Sequence, residues 1–287
     1  MKFRFLLLLL GVLPIGLCCS ESPARDESPA GNTLISSARI NTLGKFSFLY
    51  GSIEANIKMP NTADGLWPAF WLLGADYETI GWPGCGEIDI VEMGGRTGIT
   101  SGIQQTFFAQ GCHWGELAGG GHPNYTLEYN NPVNLQDDFH LYRMAWDEQM
   151  IRLYVDNAQW FTMDINVFDG PYPAGNYFHK PFCIILNLAV GGDYPGIYSR
   201  EEITALNKEN DYSAAMYVDY VKVYDEKNVL IWEDNFDDPV LDETKWNIEV
   251  NDFGGGNHEL QSYRRSNVSI DIEPVTGKNC LILKTKG

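Results

Sequence analysis

Hydrophobic and polar residues alternate along much of this chain with a period of two, the spacing of a strand that buries one face. FSFLYGSIEANIKMP, over residues 46–60, sets Phe46, Phe48 and Tyr50 on one side. FHLYRMAWD, MIRLYVDN, FCIILNLAVGG and MYVDYVKVYD follow, and Gly, Pro, Asn or Asp punctuates most gaps. The one modest helix candidate is SREEITALN, residues 199–207, where Ser199 would cap and Glu202 stands three later. Many short strands with few helices predict an all-β sandwich or barrel. The 287 residues suit one large all-β domain as well as two small ones. An aromatic content of 13% and 29 glycines fit strands joined by tight turns.

The opening MKFRFLLLLLGVLPIGLCCSES breaks the alternation. Lys2 and Arg4 precede the apolar run Leu6 to Leu17, which is short for a membrane span and reads as an export signal over residues 1–19. Cys18 and Cys19 stand where a bacterial outer-membrane or cell-surface lipoprotein carries its acylated cysteine; Leu17 is larger than the residue usual there, so plain secretion stays open. Residues 20–33 are polar and contain proline, the composition of a flexible tether. A net charge of −18 argues against binding nucleic acid and is compatible with a neutral polymer substrate. A monomer is expected.

GEIDIVEMGG, residues 86–95, holds three acids in a two-then-three rhythm. Glu87 and Asp89 would share a strand face, with Glu92 opposite. A β-bulge between Asp89 and Glu92 would return Glu92 to their side. Glu87 and Glu92 would then be about four effective positions apart, roughly 13 Å of backbone. Their inward side chains could approach to the ~5–5.5 Å of a retaining glycosidase. In that reading Glu87 is the nucleophile, Glu92 the acid/base, and Asp89 orients Glu87 and helps keep Glu92 protonated. On these residues alone, a solvated acidic edge or a calcium site fits as well. Upstream, GLWPAFWLLG carries Trp67 and Trp71, aromatic faces that could stack on sugar rings or fill a core.

GLWPAFWLLG, GEIDIVEM, GCHWGE, LNLAVGG and YVDYVKVYD, in this order, resemble glycoside hydrolase family 16, in its laminarinase-like branch with the bulged E-x-D-x-x-E strand. The resemblance implies a two-sheet β-jelly-roll (concanavalin A-like) sandwich over residues 34–287. It implies a cleft that hydrolyses β-1,3 or mixed-linkage β-1,3-1,4-glucan with retention and needs no cofactor for catalysis. By it, Glu87, Asp89 and Glu92 are catalytic, and Trp67, Trp71, His113 and Trp114 line the cleft. Arg39 and Asn187 are similar to polar cleft residues. Asn257 is similar to a sugar-contacting asparagine, though a turn after three glycines also explains it. A structural Ca²⁺ on the convex face would use Glu233 and Asp219, hard oxygen ligands; Asp219 could equally be paired locally.

The order of the pieces departs from the family. LIWEDNFDDPVLDETKWNIEV, GGGNHELQSYRRSNVSI and CLILKTK usually open the domain but here occupy residues 230–286, so the chain resembles a circular permutant. A fragment of a larger protein is the other reading. A catalytic hairpin turning near residues 94–99 would bring Cys85 close to Cys112, near enough to bridge, while Cys183 and Cys280 read as buried thiols. Two other functions stay open: a non-catalytic glucan-binding protein, and a same-fold hydrolase of an algal galactan.

Overall fold

The computed structural model describes residues 35–117, 121–168 and 170–287. The export segment, the tether, Cys18 and Cys19 lie outside these residues. No helix among the described residues is long and apolar enough to cross a membrane.

The strands in chain order are β1 (Ile35–Ser37), β2 (Arg39–Asn41), β3 (Gly51–Lys58), β4 (Leu66–Gly74), β5 (Glu87–Met93), β6 (Phe107–His113), β7 (Asn124–Asn130), β8 (His140–Trp146) and β9 (Met150–Val155). They continue as β10 (Ala158–Asp164), β11 (Phe182–Val190), β12 (Ser213–Tyr224), β13 (Leu230–Asp234), β14 (Asn247–Ile248), β15 (Gln261–Tyr263), β16 (Val268–Ile272) and β17 (Asn279–Lys286). One sheet runs β14-β2-β11-β4-β5-β6-β7; the other runs β10-β9-β8-β3-β12-β17-β1-β15, with β13 added on β12 and β16 on β17. The result is the jelly-roll sandwich expected, with helix confined to short turns among the described residues.

Alternation decides what each strand buries. On β3, Ile53, Ala55 and Ile57 face the space between the sheets, where Tyr142, Met144 and Trp146 of β8 and Ile151, Leu153 and Val155 of β9 join them. On β4, Phe70 and Leu72 enter the same core, while Trp67, Ala69, Trp71 and Leu73 line the opposite surface. β11 is buried along its whole length because Phe182, Ile184 and Leu186 pack inward while Cys183 and Ile185 fill a second apolar cluster on the other face. Burial on both faces is what a near-continuous apolar run predicts.

The segment from Leu230 to Lys286 is woven into both sheets. It supplies β14 to the cleft-bearing sheet and β13, β15, β16 and β17 to the other. Trp246 is fully buried, and its Nε1 donates to Asp234 Oδ2 at 2.9 Å. β17 pairs with β12 on one side and touches β1 at Ser36–Lys286 on the other.

Two expectations fail here. Residues 199–207 form no α-helix; only Arg200–Glu202 winds, as a 3₁₀ turn. Ile203, Ala205 and Leu206 are drawn onto an apolar cluster with Leu66 and Val190, and Thr204 and Ala205 donate to Asp64 O, which holds the chain open. Cys85 and Cys112 are not bridged; all four described cysteines are free and buried. The β5–β6 connection contains a helical turn at Arg96–Ser101, so Glu87 pairs with His113 and Cys112 with Ile88. Cys112 therefore faces the intersheet core, whereas Cys85 packs with Leu73, Cys183 and Ile185 on the other side.

Candidate active site

The rhythm of GEIDIVEM is a bulge. Asp89 pairs with Gly111 and Glu92 with Ala109, so three steps on β5 meet two on β6. β4 shows the same shift, with Trp71 opposite Asp89 and Ala69 opposite Glu92. Ile90 and Val91, neighbours in sequence, both drop into the core. Glu87, Asp89 and Glu92 consequently share the outer face.

That face floors a cleft of about 380 Å³. Trp67 Nε1 donates to Glu92 Oε1 at 2.9 Å. Trp71 Nε1 donates to Asn187 Oδ1 at 2.7 Å, and the Arg39 guanidinium lies 4.9 Å from the Trp71 ring centroid. Arg39 is held by Glu249, Nε to Oε1 2.9 Å. Asn257 and Glu259 reach the cleft from the carboxyl-terminal segment, where Gly255 and Gly256 also line it. Glu259 Oε2 accepts from Gly255 N at 2.7 Å, which folds the glycine loop over the end of the cleft. His113, directly across from Glu87, places Nε2 3.3 Å from Asp89 Oδ2.

Trp114 does not line the cleft. It is buried among Phe168 and Phe178, and its Nε1 donates to Tyr172 O at 2.9 Å. The residue next to His113 must point the other way as the strand ends, and its indole finds a core to fill. Three residues at the site carried no signal in a strand pattern. Trp82 lines the cleft and donates Nε1–H to Glu87 Oε2 at 3.1 Å. Tyr194 packs on Trp67, ring centroids 5.1 Å apart. His122 lies 2.8 Å from His113, Nε2 to Nδ1. Trp82 was the nearest to legible, five residues before the first acid.

Withdrawal from water dominates the electrostatics. Burial pushes Glu87 well above the usual carboxylate range, and the Asp89 charge adds to it; His113 and Arg39 oppose. Burial raises Asp89 to about 8. Glu92 is also raised to about 8, by burial and then by Asp89, against His113 and the Trp67 hydrogen bond. Three acids so placed cannot all be ionised together at neutral pH, and they share protons.

Asp219 and Glu233 each hold partners of their own. Asp219 Oδ2 accepts from Asn56 Nδ2 at 2.8 Å and pairs with Lys278; Glu233 Oε2 lies 4.0 Å from Lys222 Nζ. A calcium ion at Asp219 would have to displace an ammonium, so this donor set does not fit one as it stands. Among the described residues, Glu87, Asp89 and His113 also bring acid and imidazole atoms within 4.8 Å of one another. His113 Nε2 lies 3.3 Å from Asp89 Oδ2 and 3.4 Å from Thr126 Oγ1.

A family model described as "Glycosyl hydrolases family 16" matches residues 26–206. Among curated proteins, the chain is similar to glucan endo-1,3-beta-glucosidase A1 of Niallia circulans, 32% identical over 72% of this chain and 29% of that protein. It is also similar to a beta-1,3-glucan-binding protein of Penaeus monodon, 36% identical over 55% of this chain and 47% of that protein. The chain thus spans less than half the length of either relative. Among solved structures, the "Bacteroides ovatus mixed linkage glucan PUL (MLGUL) GH16 in complex with G4G4G3G Product" is 38% identical, with a TM-score of 0.58, over 66% of this chain and 79% of that one.

Proposed function

The chain belongs to glycosyl hydrolases family 16, and from that membership we propose that it is a retaining endo-β-glucanase acting on β-1,3-glucan, mixed-linkage β-1,3-1,4-glucan or both. The observation that carries this reading is the bulge in β5, which sets Glu87, Asp89 and Glu92 side by side in a tryptophan-lined cleft. Glu92, raised to about 8, is protonated at neutral pH and able to give its proton to the leaving oxygen. Glu87 attacks the anomeric carbon; Trp82 N–H on Oε2 leaves its other oxygen free for that bond, and Arg39 and His113 favour its anion. Glu92, now a carboxylate, then takes a proton from the water that releases the sugar. Asp89, 4% exposed between them, sets by its own charge how tightly each holds a proton. The exposed indole and phenol faces of Trp82 and Tyr77 offer stacking surface in the cleft.

The glucan-binding relative keeps a second reading in play, a cleft that holds glucan without cutting it. Hydrolysis is favoured because all three acids are present in the cleft and Glu92 holds its proton at neutral pH, as the acid of the pair must. Products from laminarin, barley mixed-linkage glucan and agarose, with wild type beside Glu87→Gln, decide among glucanase, binder and galactan hydrolase. The anomer first released, followed by NMR, tests retention.

We propose as well that the domain is a circular permutant of the family's usual order. In support, the family match ends at residue 206 while residues 230–286 contribute strands to both sheets, and β12 runs into β13 through a turn at residues 225–229. A chain with residue 287 joined to 35 through a short linker and opened at Lys227–Asn228 should keep its activity and Tm. Loss of folding there would count against the permutation.

A further inference from the structure

His122 has no part in the reaction as described so far. Its Nε2 lies 2.8 Å from His113 Nδ1, and the Trp82 ring packs edge-on against it, centroids 4.5 Å apart. His113 Nε2 in turn lies 3.3 Å from Asp89 Oδ2, a buried oxygen without a well-formed hydrogen bond among the described residues. Two ring nitrogens in contact need one donor and one acceptor, which couples the two tautomers. When His113 carries its proton on Nε2, facing an Asp89 carboxylate, its Nδ1 accepts from His122 Nε2–H. When Asp89 is protonated and donates to His113 Nε2, His113 Nδ1–H donates to His122 Nε2. The second arrangement holds one proton more than the first, and both rings change tautomer between them.

We propose that His122 is a positioning residue for hydrolysis, forming with His113 a two-imidazole path that loads and unloads the proton of Asp89 from the cleft rim. The inference rests on the glycosidase reading of the three acids. Unloading is balanced as follows. Asp89 Oδ2–H passes its proton to His113 Nε2, His113 Nδ1–H to His122 Nε2, and His122 Nδ1–H to a solvent water. Asp89 ends as carboxylate, both imidazoles end neutral and the water as hydronium; loading is the reverse. Such a path matters because Glu92 loses its proton in the first half-reaction and regains one in the second. Asp89 can adjust its charge between them without water crossing the bound polysaccharide.

The surroundings favour transfer over a fixed charge. Glu87 and Asp89 face the pair from β5, with Arg39 acting on Glu87 from β2. β7 presents Thr126, whose Oγ1 is 3.4 Å from His113 Nε2, and the loop before β5 presents the Trp82 indole; neither titrates in this range. Burial and His113 both lower His122, which keeps it neutral and able to accept and donate.

The test is the pH dependence of hydrolysis by the full chain on laminarin or mixed-linkage glucan, wild type beside His122→Gln and His122→Phe. The path predicts kcat lower by roughly three- to tenfold, KM within about twofold, and an inflection of the profile displaced by about half a pH unit or more. A profile of unchanged shape in both variants, whatever the Tm, overturns it. A second measurement needs no turnover: the carboxyl ¹³C titration of Asp89, assigned through Asp89→Asn. Its midpoint moves in His122→Gln if the His122–His113 tautomers are coupled to Asp89 as described, and an unmoved midpoint removes the coupling on which the path rests. If wild type cuts no glucan, the glucanase reading fails while this titration still decides the coupling.

Discussion

Glu92 in the cleft and Glu273 in the β16–β17 turn are both withdrawn from water, and their proton affinities part company. Burial alone would raise Glu273, but the Thr276 N–H and hydroxyl and the Lys58 ammonium outweigh it and bring it to about 2. The Thr276 N–H is 2.6 Å away, its hydroxyl 2.8 Å, the Val275 N–H 3.1 Å and Lys58 Nζ 3.1 Å. Glu92 receives one indole N–H and faces two other acids. Donors, more than depth, decide whether a carboxylate becomes a brace or a reagent.

That contrast can be broken in order of effect. Glu87→Gln should lower hydrolysis by roughly 10³-fold or more while circular dichroism stays that of the folded protein. Glu92→Gln should lower activity by roughly 10²–10⁴-fold and stabilise the fold at alkaline pH. The folded value near 8 lies above the ordinary 4.5, so Glu92 favours the folded state fully below pH 4.5 and loses that contribution as pH rises through 8. The glutamine loses nothing over that range, and its Tm should exceed wild type by about 2–4 °C at pH 8–9 for each kcal/mol involved. The same ionisation should draw wild-type activity down as pH rises through about 8.

Glu273→Gln reverses the sign. Its folded value of about 2 lies below 4.5, so its stabilisation is complete above pH 4.5 and is lost as pH falls through 2. The variant should be less stable by on the order of 2 kcal/mol at pH 7 and level with wild type near pH 2, at undiminished activity when folded. Thermal melts across pH check both glutamates. Smallest of all, Trp67→Phe removes the N–H that lowers Glu92, and the alkaline limb of activity should move up by less than about one unit. A limb that moved down would mean that Trp67 acts on Glu92 by something other than its hydrogen bond.

The bulge is legible in the sequence as a condition, because alternation is strict where one face is buried: with two acids in phase and one out, an extra residue puts all three on one face, and the resemblance to family 16 favours that reading over a solvated edge. The same rule should have excluded Trp114, since adjacent residues His113 and Trp114 cannot both face the cleft. Trp82, His122 and Tyr194 sit outside the strands, where no period exists and placement depends on pairing between distant elements. The cysteine pairing fails on a loop length: the connection over residues 94–106 contains a helical turn at Arg96–Ser101, and Cys112 falls opposite Ile88. SREEITALN carried a helix signature, yet Ile203 and Leu206 gain more by covering an apolar cluster than by winding.

The Ser36–Lys286 contact has a consequence for the order of folding. Thr285 Oγ1 donates to Ser36 O at 3.0 Å, joining residues 249 apart. β12, the centre of its sheet, stays half-unpaired until β17 has been synthesised, and the loop that ends the cleft arrives only shortly before it. The acids at residues 87–92 remain without their complete wall until Asn257 and Glu259 have been made. Contacts this distant in sequence make for slow, all-or-none folding. A half-made chain therefore presents unpaired strand edges rather than a half-working cleft.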